Sequence, residues 1–503
     1  MPKNLPSDSP WARIFSRRNR SSDDSLDTTK ENTDRSVLSP EENRAAEGAL
    51  RNASWGTVFY LITTDILGPY SSPWAFAQVG YGPGAACFVV FGIMAAYGGL
   101  LLWWMFIKLD SDRLPLRTYG DLAHRIYGPY ARHLCSVLQT IQLVINVGLI
   151  VLSNGQGLSQ MVKFRLCFSV CNVLWALAGM VVGQVRTLRR FGIIANASIW
   201  LNITTMIIVM ASVPYIAPNY TATALTPAPI QRLAINLQPF QQQLNGIMQM
   251  VFSYGGAMIF IEFMAEMRRP MDFWKAMALS QLFICVVYMF FGLFVYSYQG
   301  QFVVNPAPQT ISVYSIQTIA NAFYLTASLI AAAMYGNIAV KVIHQTVFVP
   351  LFGLPSVNSQ KGKAVFAGSV VVYWAIAFVI GSAIPQFSNI TALVAAICIF
   401  QFTYTFPPLL LLGFLVQTDA MDGEDAGQTK PEAVRRDTWR SLARWRRGRN
   451  KSRLAFHVWN FLLTLACLSC ASLSGYSAVY TIISSFQTSG SATSFGCKSP
   501  VDN

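Results

Sequence analysis

The chain has 503 residues, of which 53% are hydrophobic and only 12% charged, and its mean hydropathy is +0.40. Soluble domains carry roughly 25% charged residues, so this composition excludes a soluble globular protein and points to a bilayer. The formal net charge of +14 would suit nucleic acid in a soluble chain. Here it reports topology, because cytoplasmic loops of membrane proteins collect Lys and Arg, and no nucleic-acid partner is expected.

Residues 1–50 are rich in Ser, Asp, Arg and Asn, with almost no apolar run. They read as a disordered cytoplasmic tail, and nothing in them has the pattern of a cleaved signal peptide. About eleven apolar stretches near the spanning length of ~20 residues follow, starting near residues 57, 85, 133, 166, 192, 244, 276, 319, 364, 390 and 455. With the N-terminus inside, about 33 of the 37 Lys and Arg fall on the cytoplasmic side. Only Lys163, Arg165, Arg232 and Lys498 lie outside, which fixes the orientation. The odd number of spans then places the C-terminal tail, 485–503, outside.

The first stretch, residues 57–78, is long enough to span but carries Asp65 and the run Gly68-Pro69-Tyr70-Ser71-Ser72-Pro73 near its middle. Lipid offers no partner for bare peptide groups, so a helix broken at that depth must face protein or a water-lined cavity. Ser72 followed by Pro73 predicts an N-cap and first helical position. The outer half-helix then aims its free N–H groups and positive dipole end at the membrane middle, where a carboxylate fits. The inner half ends there with unpaired carbonyls, which suit an ammonium group. One break therefore offers both partners of a zwitterion, and an amino acid is the simplest small molecule with both charges.

The span starts repeat with an offset of roughly 185 to 200 residues, an internal period that pairs spans one to five (about 57–213) with spans six to ten (about 244–416). Five is odd, so the halves enter the membrane from opposite sides, as in many secondary transporters. Span six should then be broken like span one. Residues 252–258 read F-S-Y-G-G-A-M, and Tyr254-Gly255-Gly256 interrupts an otherwise helical stretch, each Gly costing ~1 kcal/mol. Between the halves, residues 214–243 form a Pro-rich outer loop with a glycosylation sequon at Asn219. Pro407-Pro408 predicts a kink in the tenth span. Residues 417–454 form a basic cytoplasmic loop, and residues 455–484 an added last span.

Among ionisable residues, Asp65 lies about one turn before the first break and Glu262 about two turns after the second. Buried carboxyls at those depths are candidates for proton coupling or gating. Glu266, beside Arg268 and Arg269, reads as a surface ion pair. His124, His133, His344 and His457 sit near span ends and read as interface anchors. Candidate substrate contacts are Gly68, Pro69, Tyr70, Ser71, Tyr254, Gly255, Gly256 and Tyr335. Most of the nine cysteines lie in apolar spans, where Cys acts as a small hydrophobe. Cys497 lies outside and could pair, with no obvious partner.

The stretch L-G-P-Y-S-S-P-W-A-F-A-Q-V-G-Y-G-P-G resembles the opening signature of the amino acid/auxin permease family. Y-G-D-L-A-H-R-I-Y-G at 119–128 is similar to that family's loop after span two. G-G-A-M-I-F-I-E-F-M-A-E-M-R-R-P-M-D-F at 255–273 resembles the fungal branch, the neutral amino acid permeases. The match runs over about residues 50–415. It implies an all-α integral membrane protein with a leucine-transporter-like five-plus-five inverted repeat, one extra helix, and secondary uptake of amino acids, usually driven by protons. The fungal branch leads one to expect Gly-His in span eight, but this chain reads Met334-Tyr335-Gly336-Asn337 there, which leaves a His-dependent scheme without its His.

No G-x-x-x-x-G-K-[ST] occurs, so an ATP-driven pump is not expected. No loop has room for a catalytic domain and no metal-ligand spacing is present, so the chain is not read as an enzyme. The expected function is proton-coupled symport of neutral amino acids by alternating access, with sodium as the alternative coupling ion and no other cofactor. The expected partners are the amino acid and the lipid bilayer. The expected location is the plasma membrane, with the vacuolar membrane as the alternative. Two other readings remain: an amino acid sensor on a transporter fold, and a carrier of another small charged solute.

Overall fold

The computed structural model describes residues 53–65, 68–111, 115–185, 188–223, 225–344, 360–383, 386–422, 454–489 and 495–502. The chain divides into two units. One is residues 1–50 with Asp110–Pro115, and the other is residues 51–109 with 116–503. The expected N-terminal tail and the basic loop from 423 to 453 lie outside the described residues. The second unit holds all the spans.

Among the described residues, eleven helical segments follow in order, numbered here as spans. Span 1 is Trp55–Asp65, a 3-10 turn at Gly68–Ser71, and Ser72–Val79. Span 2 is Tyr81–Leu109. A linker helix, Tyr119–Tyr127, leads to span 3, Pro129–Met161. Span 4 is Phe168–Val182 and span 5 is Leu188–Ser212. Span 6 is Phe240–Phe252, a 3-10 turn at Gly255–Ile259, and Phe260–Glu266. Spans 7, 8 and 9 are Phe273–Gln299, Tyr314–Ile343 and Gln360–Ala383. Span 10 runs from Phe387–Val394 through two π-helical turns, Ala395–Ile399 and Gln401–Thr405, into Phe406–Asp422. Span 11 is Leu454–Ser489. Eight helices are each long and apolar enough to cross a membrane, and the bent pair in span 6 makes nine. Span 4, with 15 residues, and the divided span 1 complete the set. Each start lies within about five residues of the sequence expectation, because an apolar run of ~20 residues has few ways to be placed.

Spans 1 and 6 are the interrupted ones. The two halves of span 6 meet at 44°. The 3-10 turn of span 1 packs on the Phe240–Phe252 half of span 6, and the Ser72–Val79 helix lies along that same half. At the other end Ala53 and Met267 form an isolated bridge. The Ala53 N–H donates to the Glu266 carbonyl and the Arg268 N–H donates to the Ala53 carbonyl, each at 2.9 Å. The two interrupted spans are thus joined above and below their gaps.

Two expectations are corrected, those for Ser72 and His344. The N-cap of the second half of span 1 is Ser71, not Ser72, and its side chain makes no cap bond. Its hydroxyl instead donates to Asn305 Oδ1 at 2.9 Å. The proline pair of span 10, where a kink is expected, follows two π-helical turns, Ala395–Ile399 and Gln401–Thr405. A π turn passes over one residue of the usual bonding ladder, so a missing proline N–H costs less there. Gly98 of span 2 sits on this site: a Cβ there would lie 2.4 Å from the Thr403 carbonyl oxygen. His344, expected as an interface anchor, is buried.

Cys497 also has a partner. It forms a disulfide with Cys167, at the start of span 4. The Phe168 N–H donates to the Cys497 carbonyl at 3.0 Å, and Ser169 Oγ donates to the Gly496 carbonyl at 2.9 Å. Ser159 at the end of span 3 bonds Ser499 at 2.9 Å, and the Phe495 N–H donates to the Ser382 carbonyl of span 9 at 3.1 Å. The C-terminal segment is therefore strapped across the ends of spans 3, 4 and 9, on the face that holds the loop between spans 3 and 4.

Two outcomes follow from the packing. Alkylation of the denatured, unreduced protein should label the seven free cysteines, Cys87, Cys135, Cys171, Cys285, Cys398, Cys467 and Cys470. Reduction should expose Cys167 and Cys497 as well, read by mass spectrometry of the peptides. Gly98→Val should lower thermal stability in detergent by about 1–3 kcal/mol, the usual cost of forcing extra carbons into a closed contact.

Candidate functional site

A cavity of about 50 Å³ lies beside the gap in span 6. At roughly 10–15 Å³ per water-sized group it holds about four such groups. Span 3 lines it with Asn146, Leu149, Ile150 and Ser153, and span 8 with Tyr324, Ser328 and Tyr335. Phe252 and Gly255 of span 6, with Phe387 and Ile399 of span 10, complete the wall. No lining side chain is charged. Gly255 is confined: a Cβ there would meet Ile399 side-chain atoms from 3.1 Å.

The polar side chains of the wall differ in what they have left to offer. Ser153 accepts from the Tyr324 hydroxyl at 3.1 Å and donates to the Ile150 carbonyl at 3.2 Å. Ser328 donates to Asn154 Oδ1 at 2.6 Å. These bonds fix spans 3 and 8 against each other. Asn146 is different: its Oδ1 is buried with no hydrogen-bond partner. Asn146 belongs to the cavity wall, but this oxygen is enclosed by protein.

Glu262 stands on the second half of span 6, in the first turn after the 3-10 segment. It is the one buried acidic side chain among the described residues. Gln139 of span 3 holds it: Gln139 Nε2 donates to Glu262 Oε1 at 2.7 Å and to the Met258 carbonyl at 2.9 Å. The Tyr119 N–H of the linker helix donates to the same Oε1 at 3.4 Å. Glu262 Oε2 is buried with no hydrogen-bond partner. One oxygen thus fixes the side chain, and the other is where a proton would sit. The linker helix is itself pinned. Thr118 and Asp121 form a reciprocal capping box, and Arg132 pairs with Asp121 at 3.1 Å.

Glu266, one turn further on, pairs with Lys341 of span 8 at 3.6 Å, not with Arg268 or Arg269 as expected. The pair is partly exposed, so its weight is at most ~1 kcal/mol.

The expected site residues distribute as follows. Gly255 and Tyr335 line the cavity. Tyr70 is buried outside it and reaches it through Tyr324, whose ring lies 4.8 Å away edge-on. The Tyr70 hydroxyl donates to Asn202 Oδ1 of span 5 at 3.0 Å. Ser71 turns to Asn305. Tyr254 turns away, donating to the Phe88 carbonyl of span 2 at 2.9 Å. Gly256 is buried in the 3-10 segment. The side chain of Asp65 and positions Gly68 and Pro69 lie outside the described side chains. Asn219 lies in the loop joining the two halves, and its Nδ2 donates to the Gln309 carbonyl at 3.0 Å.

Sequence reasoning missed Gln139, Asn146, Ser153, Tyr324 and Ser328. A signal was present. Gln139, Gln142, Asn146 and Ser153 recur at intervals of three, four and seven along an otherwise apolar span, which is one helix face. Polar side chains at that depth are costly and mark function.

The chain is similar in sequence to known proteins. The profile of the family described as Transmembrane amino acid transporter protein matches residues 51–418. A Transmembrane transporter of Fusarium pseudograminearum is 23% identical over 372 residues, covering 72% of this chain and 75% of its own. The N amino acid transport system protein of Neurospora crassa is 23% identical over 364 residues, covering 70% and 74%. Among solved structures, a substrate-bound, outward-open Na+-coupled sialic acid symporter superposes with a TM-score of 0.49 at 9% identity, covering 85% of this chain and 90% of its own. With nearly three quarters of its length matched, the chain belongs to the transmembrane amino acid transporter protein family.

Proposed function

We propose that the protein is a secondary active transporter that takes up neutral amino acids with protons by alternating access. The observation that carries this reading is the pairing of an uncharged cavity at the gap of span 6 with a buried carboxyl, Glu262, on the far side of that gap. A charged substrate side chain would enter a cavity with no opposite charge to meet it, at a desolvation cost of several kcal/mol. A zwitterion's own two charges can be met by the ends of the interrupted helices, as in transporters built on broken spans. The helix Ser72–Val79 points its N-terminus back toward the middle of span 1.

Glu262 suits the coupling role because its hydrogen bonds leave one oxygen open while the other is held. Protonation at Oε2 removes a buried charge from the span that must move. The partly exposed Lys341–Glu266 pair is a latch at the end expected to face the cytoplasm. The disulfide between Cys167 and Cys497 supports the orientation, since disulfides persist on the oxidising side of a membrane. That side is where positive charge is scarce in the sequence.

Purified protein in lipid vesicles tests the reading. An imposed gradient, acid outside, should accelerate uptake of labelled neutral amino acids about tenfold over no gradient, as expected for coupled transport through a broken-span site. Asp and Lys should compete about tenfold less well than Ala or Leu, because selection against charge is built into the wall. Uptake indifferent to pH would remove the proton, and efficient uptake of Lys or Asp would remove the neutral selection.

Glu262→Gln separates coupling from binding. The amide keeps the shape and the bonds at Oε1 but cannot carry a proton. Gradient-driven accumulation should fall by about tenfold or more, while exchange of substrate across the vesicle persists. A variant that accumulates substrate as the parent does would show that Glu262 carries nothing.

A further inference from the structure

The cavity has two ends, and the break in span 1 stands at one of them. Successive spans alternate in direction, so spans 6, 8 and 10 run together and span 3 runs against them. The bonds agree. Tyr324 of span 8 bonds Ser153 of span 3, while Asn321, earlier on span 8, bonds Gln160, later on span 3. Gln249 of span 6 donates to the Ser388 carbonyl of span 10 at 2.9 Å, and further along both spans Ile399 packs at Gly255. Of the lining residues, Ser153, Tyr324 and Phe387 therefore stand at one end, and Gly255, Tyr335 and Ile399 at the other. The 3-10 turn of span 1 belongs to the first end. The Tyr70 ring lies 4.8 Å from that of Tyr324. Ser71 donates to Asn305 Oδ1 at 2.9 Å, and Asn305 Nδ2 donates at 3.0 Å to Ser388, the neighbour of Phe387. The helix Ser72–Val79 begins there, and a helix N-terminus favours a carboxylate. A substrate held by its charged groups at this end directs its side chain toward the other.

That far end is closed by Ile399. It is buried, and it is the last residue of the first π-helical turn of span 10, a kind of turn frequent at functional sites. Facing it is Gly255, the one glycine of the wall. Ile399 Cδ1, Cγ2 and Cγ1 lie 3.1, 3.2 and 3.4 Å from the place where a Gly255 Cβ would stand. Those three carbons fill the space that the glycine leaves at the gap. The cavity of about 50 Å³ has room for about four water-sized groups. A leucine side chain has four carbons and a phenylalanine side chain seven. The excess is three carbons, the number by which isoleucine exceeds alanine.

We propose that Ile399 is the size filter of the site, so that the protein accepts neutral amino acids up to the length of leucine and rejects aromatic ones. This rests on the reading of the cavity as the substrate site. A wall packed against a neighbouring span cannot yield cheaply, and one methylene too many or too few in an apolar pocket changes selection by about 10–200-fold. Gly255 and Ile399 act as a pair, because a carbon added to one occupies the space cleared at the other. Ile399 has no polar side-chain atom, so shortening it leaves the bonds between spans 3 and 8, Tyr324 to Ser153 and Ser328 to Asn154, in place.

The test is exchange of labelled leucine and phenylalanine across vesicles at equal pH, which needs no proton gradient. The parent should exchange leucine about tenfold better than phenylalanine, or more. Ile399→Ala should raise the phenylalanine-to-leucine ratio about tenfold, chiefly through a lower KM for phenylalanine, a gain that loss of structure does not give. Adding Gly255→Ala to Ile399→Ala puts one carbon back and should restore part of the leucine preference. A parent that exchanges the two equally overturns the filter. So does an Ile399→Ala protein whose ratio stays within about twofold of the parent. Should Ile399→Ala exchange nothing, Ile399→Val takes its place: losing one carbon should raise the ratio about threefold, and an unchanged ratio overturns the filter. A parent that exchanges no neutral amino acid removes the transport reading itself, and the filter with it.

Discussion

A peptide group in hydrocarbon has only protein or trapped water to bond, and every informative feature of this structure descends from that constraint. The gap in span 6 frees carbonyls at a depth where lipid cannot answer them. The Met258 carbonyl is answered by Gln139, a side chain from span 3. The same amide nitrogen donates to Glu262. One residue therefore both repairs the backbone of the interrupted helix and fixes the orientation of its buried acid. A continuous helix would need neither, and it would leave nothing unpaired for a substrate to use.

The bonds around the two interrupted spans differ in strength according to where they run. Between spans 1 and 6 they are backbone bonds and long packed faces, with the bridge at Ala53 and Met267 at one end and the Ser72–Val79 helix against Phe240–Phe252 at the other. From span 6 to span 8 the described ionic tie is the partly exposed Lys341–Glu266 pair, worth little by itself. Spans 3 and 8 are joined by buried polar bonds, Tyr324 to Ser153 and Ser328 to Asn154. Gln139 of span 3 adds a buried tie to Glu262 and the Met258 carbonyl of span 6, so span 6 is held to span 1 by backbone bonds and to span 3 through one side chain.

The spans were legible in the sequence because bilayer thickness sets their length and the solvent sets their composition. The breaks were legible because Gly68-Pro69 and Gly255-Gly256 violate helix chemistry inside apolar runs. Of the cavity wall only Gly255 and Tyr335 were among the expected residues; the rest comes from spans 3, 8 and 10 and from Phe252, whose rotation no local pattern states. The pairing of Cys497 with Cys167, 330 residues apart, and that of Glu266 with Lys341 were hidden for the same reason. Local chemistry names the residue that needs a partner, and only the fold supplies it. Span 10 adds a feature that no local pattern stated, the two π-helical turns ahead of Pro407.

The place in span 8 where the family resemblance leads one to expect a histidine holds Tyr335-Gly336-Asn337, and these residues are already occupied in other ways. Tyr335 lines the cavity. A Cβ on Gly336 would sit 3.3 Å from the Tyr373 ring of span 9. Asn337 is buried and donates its amide to the Val185 carbonyl after span 4. Span 8 here is a packed wall, with 18 of its 30 residues buried, and it presents no titratable imidazole at this level. On the proton-coupled reading proposed above, the carrier would stand elsewhere, close to the cavity and on an interrupted helix. Glu262 meets both conditions, because it shares span 6 with Gly255 of the cavity wall and is separated from that residue by two turns. In that reading, a titrating group on the interrupted helix rather than on the wall would carry its charge with the span, so that its neutralisation would act directly on that span.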